Sequence, residues 1–150
     1  MKSFTTILSA IDFSGNSDHA FDHALTIASA FNSSLLVMHV IDSLVYAPGF
    51  DMPYPFIEDL DKELFESAKK MLARFCESRL AGFSNYTTII ETGTPHREII
   101  RAAENTAASL IVLGTHGRSG LDRVVFGSTA ERVVRRAPCP VLTVPLPKNV

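Results

Sequence analysis

Three glycines and a hydroxyl residue in the last third of the chain have the types and the spacing of a phosphate-binding loop. They form the pattern Gly114-x2-Gly117-x9-Gly127-Ser128, which follows a short apolar run and precedes a helical pattern. Glycine permits positive φ and lets the backbone approach a ligand closely. A helix that begins just beyond such a loop offers unpaired N–H groups and the positive end of its dipole to an anion. We therefore predict that this segment binds a chain of phosphates.

The residues around the glycines have different expected roles. Leu113 ends the preceding strand, and Thr115 and His116 are expected to contact the ligand through their backbone. Arg118 and Arg123 lie in the loop that follows, where they could reach phosphate oxygens, although loop arginines are more often solvated. The backbone is therefore expected to hold most of the phosphate charge.

The start of the last helix leaves two roles open for its serine. Gly127, Ser128 and Thr129 open the helix and could hold phosphate oxygens. Ser128 and Glu131 also have the spacing of a capping box, in which the serine hydroxyl accepts a hydrogen bond from the glutamate N–H. Both roles are compatible if the phosphates use mainly the backbone.

Strands and helices are predicted to alternate along the chain. Apolar runs predict strands at residues 4–11, 34–40, 86–91, 109–113 and 140–144, and helical periodicity predicts helices at residues 17–31, 57–80, 95–105 and from about residue 128. This alternation is typical of a parallel sheet that is covered on both faces. We therefore predict one α/β domain over residues 1–150, with helices on both faces of an open sheet.

Ligands of such sheets bind beyond the carboxyl ends of the strands, at the point where the strand order reverses. Asp12, Val40 and Leu113 mark the ends of the first, second and fourth predicted strands, so all three are expected to face one crevice. The carboxylate of Asp12 can accept hydrogen bonds from a ribose hydroxyl or an amino group. A role in capping the turn that follows is the alternative for this residue.

These segments together resemble the universal stress protein family. The glycine pattern matches the G-2x-G-9x-G-(S/T) motif of the family's ATP-binding members, and weaker similarities lie at residues 7–14, 36–40, 93–95 with 99–100, and 137–144. The resemblance implies a Rossmann-like sheet of five parallel strands in the order 3-2-1-4-5, ATP as the ligand, and commonly a homodimer. In the family, the position matching Asp12 lies against the adenosine, and the position matching Val40 contacts the adenine edge through its backbone.

The resemblance leads us to expect an ATP-binding stress-response regulator with slow or no hydrolysis, with Mg²⁺ or Mn²⁺ bridging the phosphates. A weak ATPase or nucleotide-transfer enzyme is the alternative. A P-loop would carry a lysine after its last glycine, but Arg118 stands there, and no lysine lies between Lys70 and Lys148. A dinucleotide-binding enzyme would carry GxGxxG after the first strand, where this chain has Asp12-Phe-Ser-Gly15. We therefore expect no catalytic residue, and an unknown regulatory protein partner that responds to ATP.

The predicted fifth strand includes Val141–Val144 and lies at the edge of a sheet in this order. The segment is apolar and uncharged, with a proline on either side. An edge of this kind is free to pair with another strand. We therefore predict an antiparallel homodimer through two copies of this strand.

Composition argues against several classes of protein. The 150 residues carry a net charge of -2, with 46% hydrophobic and 20% charged residues. Nucleic-acid-binding proteins are usually basic, so we expect no nucleic-acid partner. No apolar run approaches the roughly 20 residues of a membrane span, and Met1 leads directly into a predicted strand without the layout of a signal peptide. We expect a cytoplasmic protein in which Cys76 and Cys139 are free thiols.

Four further features have less specific interpretations. Residues 42–56 are rich in aromatic residues and prolines and follow the second strand, so they form either a packed loop or a lid near the crevice. His19 and His23 are four residues apart on a predicted helix, but no third metal ligand is evident, so we expect a plain helix face. His39 is expected to be a hydrogen-bonded strand residue, and His96 an exposed residue in the first turn of its helix.

Overall fold

The computed structural model describes residues 3–42, 54–116 and 126–147, which form alternating strands and helices. The strands are β1 (Thr6–Ala10), β2 (Ser34–Asp42), β3 (Tyr86–Gly93), β4 (Leu110–Gly114) and β5 (Val141–Val144), and the helices are α1 (Gly15–Phe31), α2 (Tyr54–Arg79), α3 (Pro95–Asn105) and α4 (Ser128–Arg136). Each predicted element is present, and its ends differ from the prediction by at most three residues. None of the helices in these ranges combines the length and the hydropathy that a membrane-spanning segment needs.

The strands form one sheet in the order β3-β2-β1-β4-β5, and every neighbouring pair is parallel. This confirms the predicted Rossmann-like α/β fold. The chain passes from β1 outward to β2 and β3 and then returns to β4 on the other side of β1. The strand order therefore reverses between β1 and β4, which is where open α/β sheets bind their ligands.

Helices cover both faces of the sheet because successive strand residues point to opposite sides. Ile7 of β1 belongs to a buried cluster with α1 and α2, and its neighbour Leu8 belongs to a second cluster with α3 and α4. The same alternation continues in β4, where four of the five residues are buried, and in the first half of β2, where residues 35–38 are buried. The near-continuous apolar runs of the sequence thus reflect burial on two faces rather than one.

Helix α1 begins two residues earlier than predicted because Ser14 caps it. The Ser14 hydroxyl accepts a hydrogen bond from the Ser17 N–H at 3.3 Å, which satisfies one of the unpaired donors of the first turn. At the other end, Asn32 adopts the left-handed conformation with φ of 58°, as helix-terminating asparagines often do. The early start places Asn16 in the first turn, beside Gly114 at the end of β4.

Candidate functional site

A cavity of about 470 Å³ lies beyond the carboxyl ends of β1, β2 and β4. Helix α2 lines one side, and the N-terminal ends of α3 and α4 line the other. The volume falls within the range of pockets that hold small molecules and cofactors. Its position is the reversal of strand order that the topology marks as a ligand site.

Most of the residues that the sequence singles out line this cavity. They are Asp12, Val40, Leu113, Gly114, Thr115, His116, Gly127, Ser128 and Thr129. Gly117, Arg118 and Arg123 lie outside the described residues, and so do residues 43–53 of the aromatic segment. The structure thus brings both ends of the glycine pattern to the same crevice as the acid that follows β1.

Asp12 lies where β1 leads into α1 and has a structural contact of its own. Its Oδ1 atom accepts a hydrogen bond from the Ser14 N–H at 3.0 Å, and its own N–H donates to the Ser17 hydroxyl at 3.1 Å. The turn-capping role is therefore present. A carboxylate has further acceptor sites on its two oxygens, so the same side chain can also accept hydrogen bonds from a ligand in the cavity.

The backbone of Val40 faces the cavity because β2 extends beyond the end of β1. The pairing of these two strands ends at Ala10 and Met38, followed by one hydrogen bond from the Ile11 N–H to the Met38 carbonyl at 2.8 Å. In a parallel strand, residues two apart direct their backbone groups to the same side. The N–H and C=O of Val40 therefore point toward the β1 side, where the described ladder has ended.

Phe13 has a strained backbone at the wall of the cavity. Its φ is 62°, in the left-handed region that is uncommon for a bulky residue. Its ring packs against His39, with ring centroids 4.6 Å apart, and edge-on against Phe75 at 6.2 Å. His39 Nδ1 in turn donates to the Ile11 carbonyl at 2.9 Å, which confirms the expected hydrogen-bonded histidine. Such strain persists where the surrounding packing determines the conformation.

Two of the backbone donors expected at the glycine loop are already used within the protein. The Thr115 N–H donates to the Val144 carbonyl at 3.1 Å, and the His116 N–H donates to Asn16 Oδ1 at 2.8 Å. Buried N–H groups require partners, and α1 and β5 supply them here. The N–H groups of Thr115 and His116 are therefore engaged within the protein, and contact of these two residues with a ligand through the backbone stays a prediction.

Among the described residues of the glycine pattern, the N-terminus of α4 holds further backbone donors. Gly127 is the N-cap, and its own N–H donates to the Thr115 carbonyl at 2.6 Å. Inside the helix, Ser128, Thr129 and Ala130 carry the first-turn N–H groups, which have no acceptor within an α-helix. All three residues line the cavity. A row of such groups at the positive end of a helix is suited to an anion.

The capping box predicted for Ser128 does not form. Ser128 is the first residue inside α4 rather than its N-cap, and no side chain caps the helix. The Glu131 N–H instead donates to the Gly127 carbonyl at 3.0 Å. Gly127 itself has φ of -69°, which any residue can adopt, so the glycine is not needed there for backbone conformation.

Gly114 is required by a neighbouring side chain. A Cβ atom at this position would lie 2.8 Å from Asn16 Cγ and 2.9 Å from Asn16 Oδ1. Among the described glycines, positive φ occurs at Gly82 and Gly93 and not here. At Gly114 the structure therefore shows a close approach within the protein, and the approach of a ligand there stays a prediction.

Several residues that line the cavity were not predicted from the sequence to belong to the site. Helix α2 contributes Leu64, Ser67, Ala68 and Met71, and the α3 end contributes Pro95 and Ile99. The apolar stripe of α2 predicts a core-facing helix, and part of that stripe forms the wall of the cavity instead. Only the tertiary packing distinguishes these two uses of an apolar helical face.

His96 is buried rather than exposed. Only 7% of its surface is accessible, because α3 and α4 pack together near the start of α3. Burial lowers the pKa of its imidazole below the usual value of 6.5, and the guanidinium groups of Arg132, Arg97 and Arg136 lower it further. His96 is therefore held neutral at physiological pH.

Both cysteines are free thiols, as expected. Burial raises the pKa of the Cys76 thiol to about 11 and also raises the pKa of the Cys139 thiol. His19 and His23 have rings 4.9 Å apart on α1. Within the described ranges, no three His, Cys, Asp or Glu side chains cluster as a metal site would require.

Comparison with known proteins assigns the whole chain to one family. The model of the universal stress protein family matches residues 3–145. Universal stress protein MJ0531 of Methanocaldococcus jannaschii is 36% identical over 150 residues, which span 97% of this chain and 85% of that protein. Universal stress protein A homolog 1 of Coxiella burnetii is 34% identical over 138 residues, spanning 92% and 94% of the two chains.

Solved structures resemble the fold over nearly its full length. Hypothetical protein MJ0577 superposes with a TM-score of 0.87 at 28% identity, covering 99% of this chain and 100% of that one. The universal stress protein UspA from Lactobacillus plantarum gives 0.79 at 31% identity, covering 96% and 99%. A universal stress protein solved in complex with cAMP gives 0.61 at 25% identity, covering 95% and 98%.

Proposed function

The chain belongs to the universal stress protein family, and we propose that it is an ATP-binding regulatory module with slow or no hydrolysis. The observation that carries this proposal is the placement of the first turn of α4. The three residues that carry its N–H groups line the same cavity as Asp12 and Val40. Donors for an anion at one end and polar groups for a nucleoside at the other form the expected site for a nucleotide. The proposal takes residues 1–150 as one nucleotide-binding domain.

The proposed orientation follows from the chemistry of the two ends. Phosphate oxygens accept hydrogen bonds from the first turn of α4, where the helix dipole favours negative charge. At the other end, the Asp12 carboxylate accepts from the ribose, and the Val40 backbone pairs with the adenine edge. Met38, Pro95 and Ile99 line the cavity and give the base an apolar surface.

A divalent cation fits the proposed ligand. Mg²⁺ keeps several waters and binds through the phosphates of its substrate with few protein ligands, and in the proposed orientation the Asp12 carboxylate is used by the ribose. Mg²⁺ or Mn²⁺ would neutralise part of the polyphosphate charge. Most of its ligands would come from the nucleotide and from water, since the described residues hold no preformed metal cluster.

Slow turnover follows from the side chains of the site. A P-loop places a lysine on the phosphates, whereas this chain has Arg118 at that place and no lysine between Lys70 and Lys148. We expect phosphate release far below the median enzyme turnover of about 10 per second. A purified protein that releases phosphate at ordinary enzyme rates, with the activity lost in Gly127→Val, would favour the ATPase alternative.

The proposal extends to assembly and location. We propose a cytoplasmic homodimer that pairs through β5 and a regulatory protein partner that distinguishes the ATP-bound state. The described part of the sheet leaves the outer edge of β5 without a neighbouring strand, which supports pairing there.

The nucleotide carried by the protein tests the ligand. Freshly purified protein is denatured, and the released small molecules are separated by chromatography and identified by mass. ATP, ADP, AMP and cAMP are the candidates, the last because a structural relative was solved with it. Competition with a fluorescent ATP analogue ranks the same four ligands on nucleotide-free protein. We expect ATP to compete most strongly, and preferential binding of cAMP would replace ATP as the proposed ligand.

A further inference from the structure

Asn16 connects three separate parts of the chain beside the cavity. Its side chain, in a residue only 3% exposed, donates from Nδ2 to the Val144 carbonyl at 2.9 Å and accepts at Oδ1 from the His116 N–H at 2.8 Å. A carbonyl only accepts and an N–H only donates, so the two partners fix the orientation of the amide. One buried side chain on α1 thereby holds the end of β5 and the beginning of the glycine loop.

The contacts of Thr115 carry this connection to the proposed phosphate site. The Val144 carbonyl that accepts from Asn16 also accepts from the Thr115 N–H at 3.1 Å. On the other side of the same residue, the Thr115 carbonyl accepts from the Gly127 N–H at 2.6 Å. Gly127 is the N-cap of α4. The position of the α4 N-terminus is therefore linked, through two residues of the loop, to Asn16.

The same side chain accounts for the first glycine of the motif. A Cβ at Gly114 would meet three atoms of the Asn16 amide group at 2.8 to 3.0 Å. The amide cannot move away cheaply, because two hydrogen bonds hold it and both partners are backbone groups. An alanine at position 114 would therefore displace Asn16, the loop, or both.

We propose that Asn16 is a positioning residue for the phosphate end of the site, and that position 114 is glycine because Asn16 occupies the space beside it. This inference rests on the proposed nucleotide-binding function. Asn16 acts through His116, Thr115 and Gly127, which set the α4 N-terminus at the correct distance from Asp12. A merely structural role would be limited to the stability of the fold, without a preference for phosphates.

A double-mutant cycle separates these possibilities. The four proteins are wild type, Asn16→Ala, Gly114→Ala and the double variant, titrated calorimetrically with Mg-ATP and with adenosine, which lacks phosphates. We expect Asn16→Ala to weaken ATP binding by about tenfold and adenosine binding by less than about twofold. Gly114→Ala should cost about tenfold in the wild-type background and less than about twofold when Asn16 is already alanine.

Matched controls exclude a general loss of structure. Asn85 Nδ2 also donates to a backbone carbonyl, that of Ser33 at 3.1 Å, at the opposite end of the sheet. Asn85→Ala should change urea stability but leave ATP affinity unchanged. If Asn16→Ala does not fold, Asn16→Ser replaces it, because a serine hydroxyl is too short to reach both partners yet keeps a polar group at the buried position.

The outcomes distinguish this inference from the proposed function. A wild-type protein that binds adenosine but not ATP, or neither ligand, overturns the proposed function together with this inference. If the wild type binds ATP, unchanged affinity in the Asn16 variant overturns the inference alone, as does an equal loss for ATP and adenosine. An equal cost of Gly114→Ala in both backgrounds would show that the glycine is there for the ligand and not for Asn16.

Discussion

The two ends of the crevice are built in different ways. At the α4 end, the binding groups are backbone amides, held by a network that passes through Thr115 to Asn16. At the opposite end, the groups are the Asp12 carboxylate and the backbone of β2 beyond its pairing with β1, with the strained Phe13 and the His39 ring packed beside them. The α4 end is suited to bind any phosphate chain. The other end is suited to distinguish one nucleoside from another.

This difference assigns distinct roles to the two ends. Backbone donors at a helix terminus respond to charge and gain strength from the helix dipole. A carboxylate and a strand edge respond to the pattern of donors and acceptors on a ribose and a base. Affinity for ATP should therefore depend most on the α4 end, and the choice among nucleosides should depend most on the end beside β1 and β2.

Gly127→Val should have the largest effect. The backbone at position 127 accepts valine, since its φ is -69°, but the branched side chain adds bulk beside the first-turn amides of α4. Calorimetry should detect no ATP binding at millimolar concentration, while circular dichroism stays that of wild type. Gly127→Ala adds a smaller side chain and serves as the control, and its affinity for ATP should lie between those of the wild type and the valine variant. Wild-type affinity in the valine variant would contradict the placement of phosphates at α4.

Asp12→Ala should weaken binding by about 1–3 kcal/mol, the range for a lost charged hydrogen bond. The loss should be equal for ATP and adenosine, because Asp12 acts at the nucleoside end. Asp12→Asn is the matched control, since its amide oxygen can still accept from the Ser14 N–H that Oδ1 now holds. Unchanged affinity for ATP in a well-folded Asp12→Ala protein would show that Asp12 only caps the turn and does not bind the ligand.

Charges on the β5 edge should change assembly and leave both ends of the crevice intact. Val141→Lys with Thr143→Lys places two cations on one face of the strand without altering the Val144 carbonyl that the loop uses. Light scattering should give twice the 16.4 kDa chain mass for wild type and one chain for the variant. A wild-type monomer at micromolar concentration, or a variant that remains dimeric, would refute pairing through β5.

His96 should produce the smallest effect, a pH dependence of stability. Its folded pKa lies below its usual value of 6.5, so the unfolded chain binds more protons between the folded pKa and that value. Stability is therefore complete above the unfolded pKa and decreases as pH falls below it. Urea unfolding at about pH 7.5 and about pH 5.5 should show a smaller decrease for His96→Gln than for wild type. An equal decrease in both proteins would assign the pH dependence to other groups.

The alternation of strands and helices and both ends of the glycine motif follow from local patterns in the sequence, whereas the strand order is implied by the resemblance to the family. Alternating apolar runs and helical stripes determine the elements, and their order along the chain restricts the topology. The contacts of Asn16 do not follow, because its partners His116 and Val144 lie 100 and 128 residues away. Nothing in the residues around position 16 marks an amide that connects α1 to β5.

Burial is the other property that the local pattern predicts poorly. His96 occupies the first turn of α3, where a polar residue is expected to be exposed, and the packing of α4 against α3 buries it. Ser128 and Glu131 have the spacing of a capping box, but the helix begins one residue earlier than that motif requires. In each case the outcome depends on how two distant segments meet.

The central claim is that one ATP binds per chain with its phosphates at the N-terminus of α4. Its most direct test is calorimetric titration of nucleotide-free protein with ATP in the presence of Mg²⁺, with Gly127→Val titrated in parallel. The predicted result is a single site per chain in the wild type and no heat in the variant. Absence of heat in the wild type, together with no competition from ATP, ADP or AMP at millimolar concentration, would contradict it.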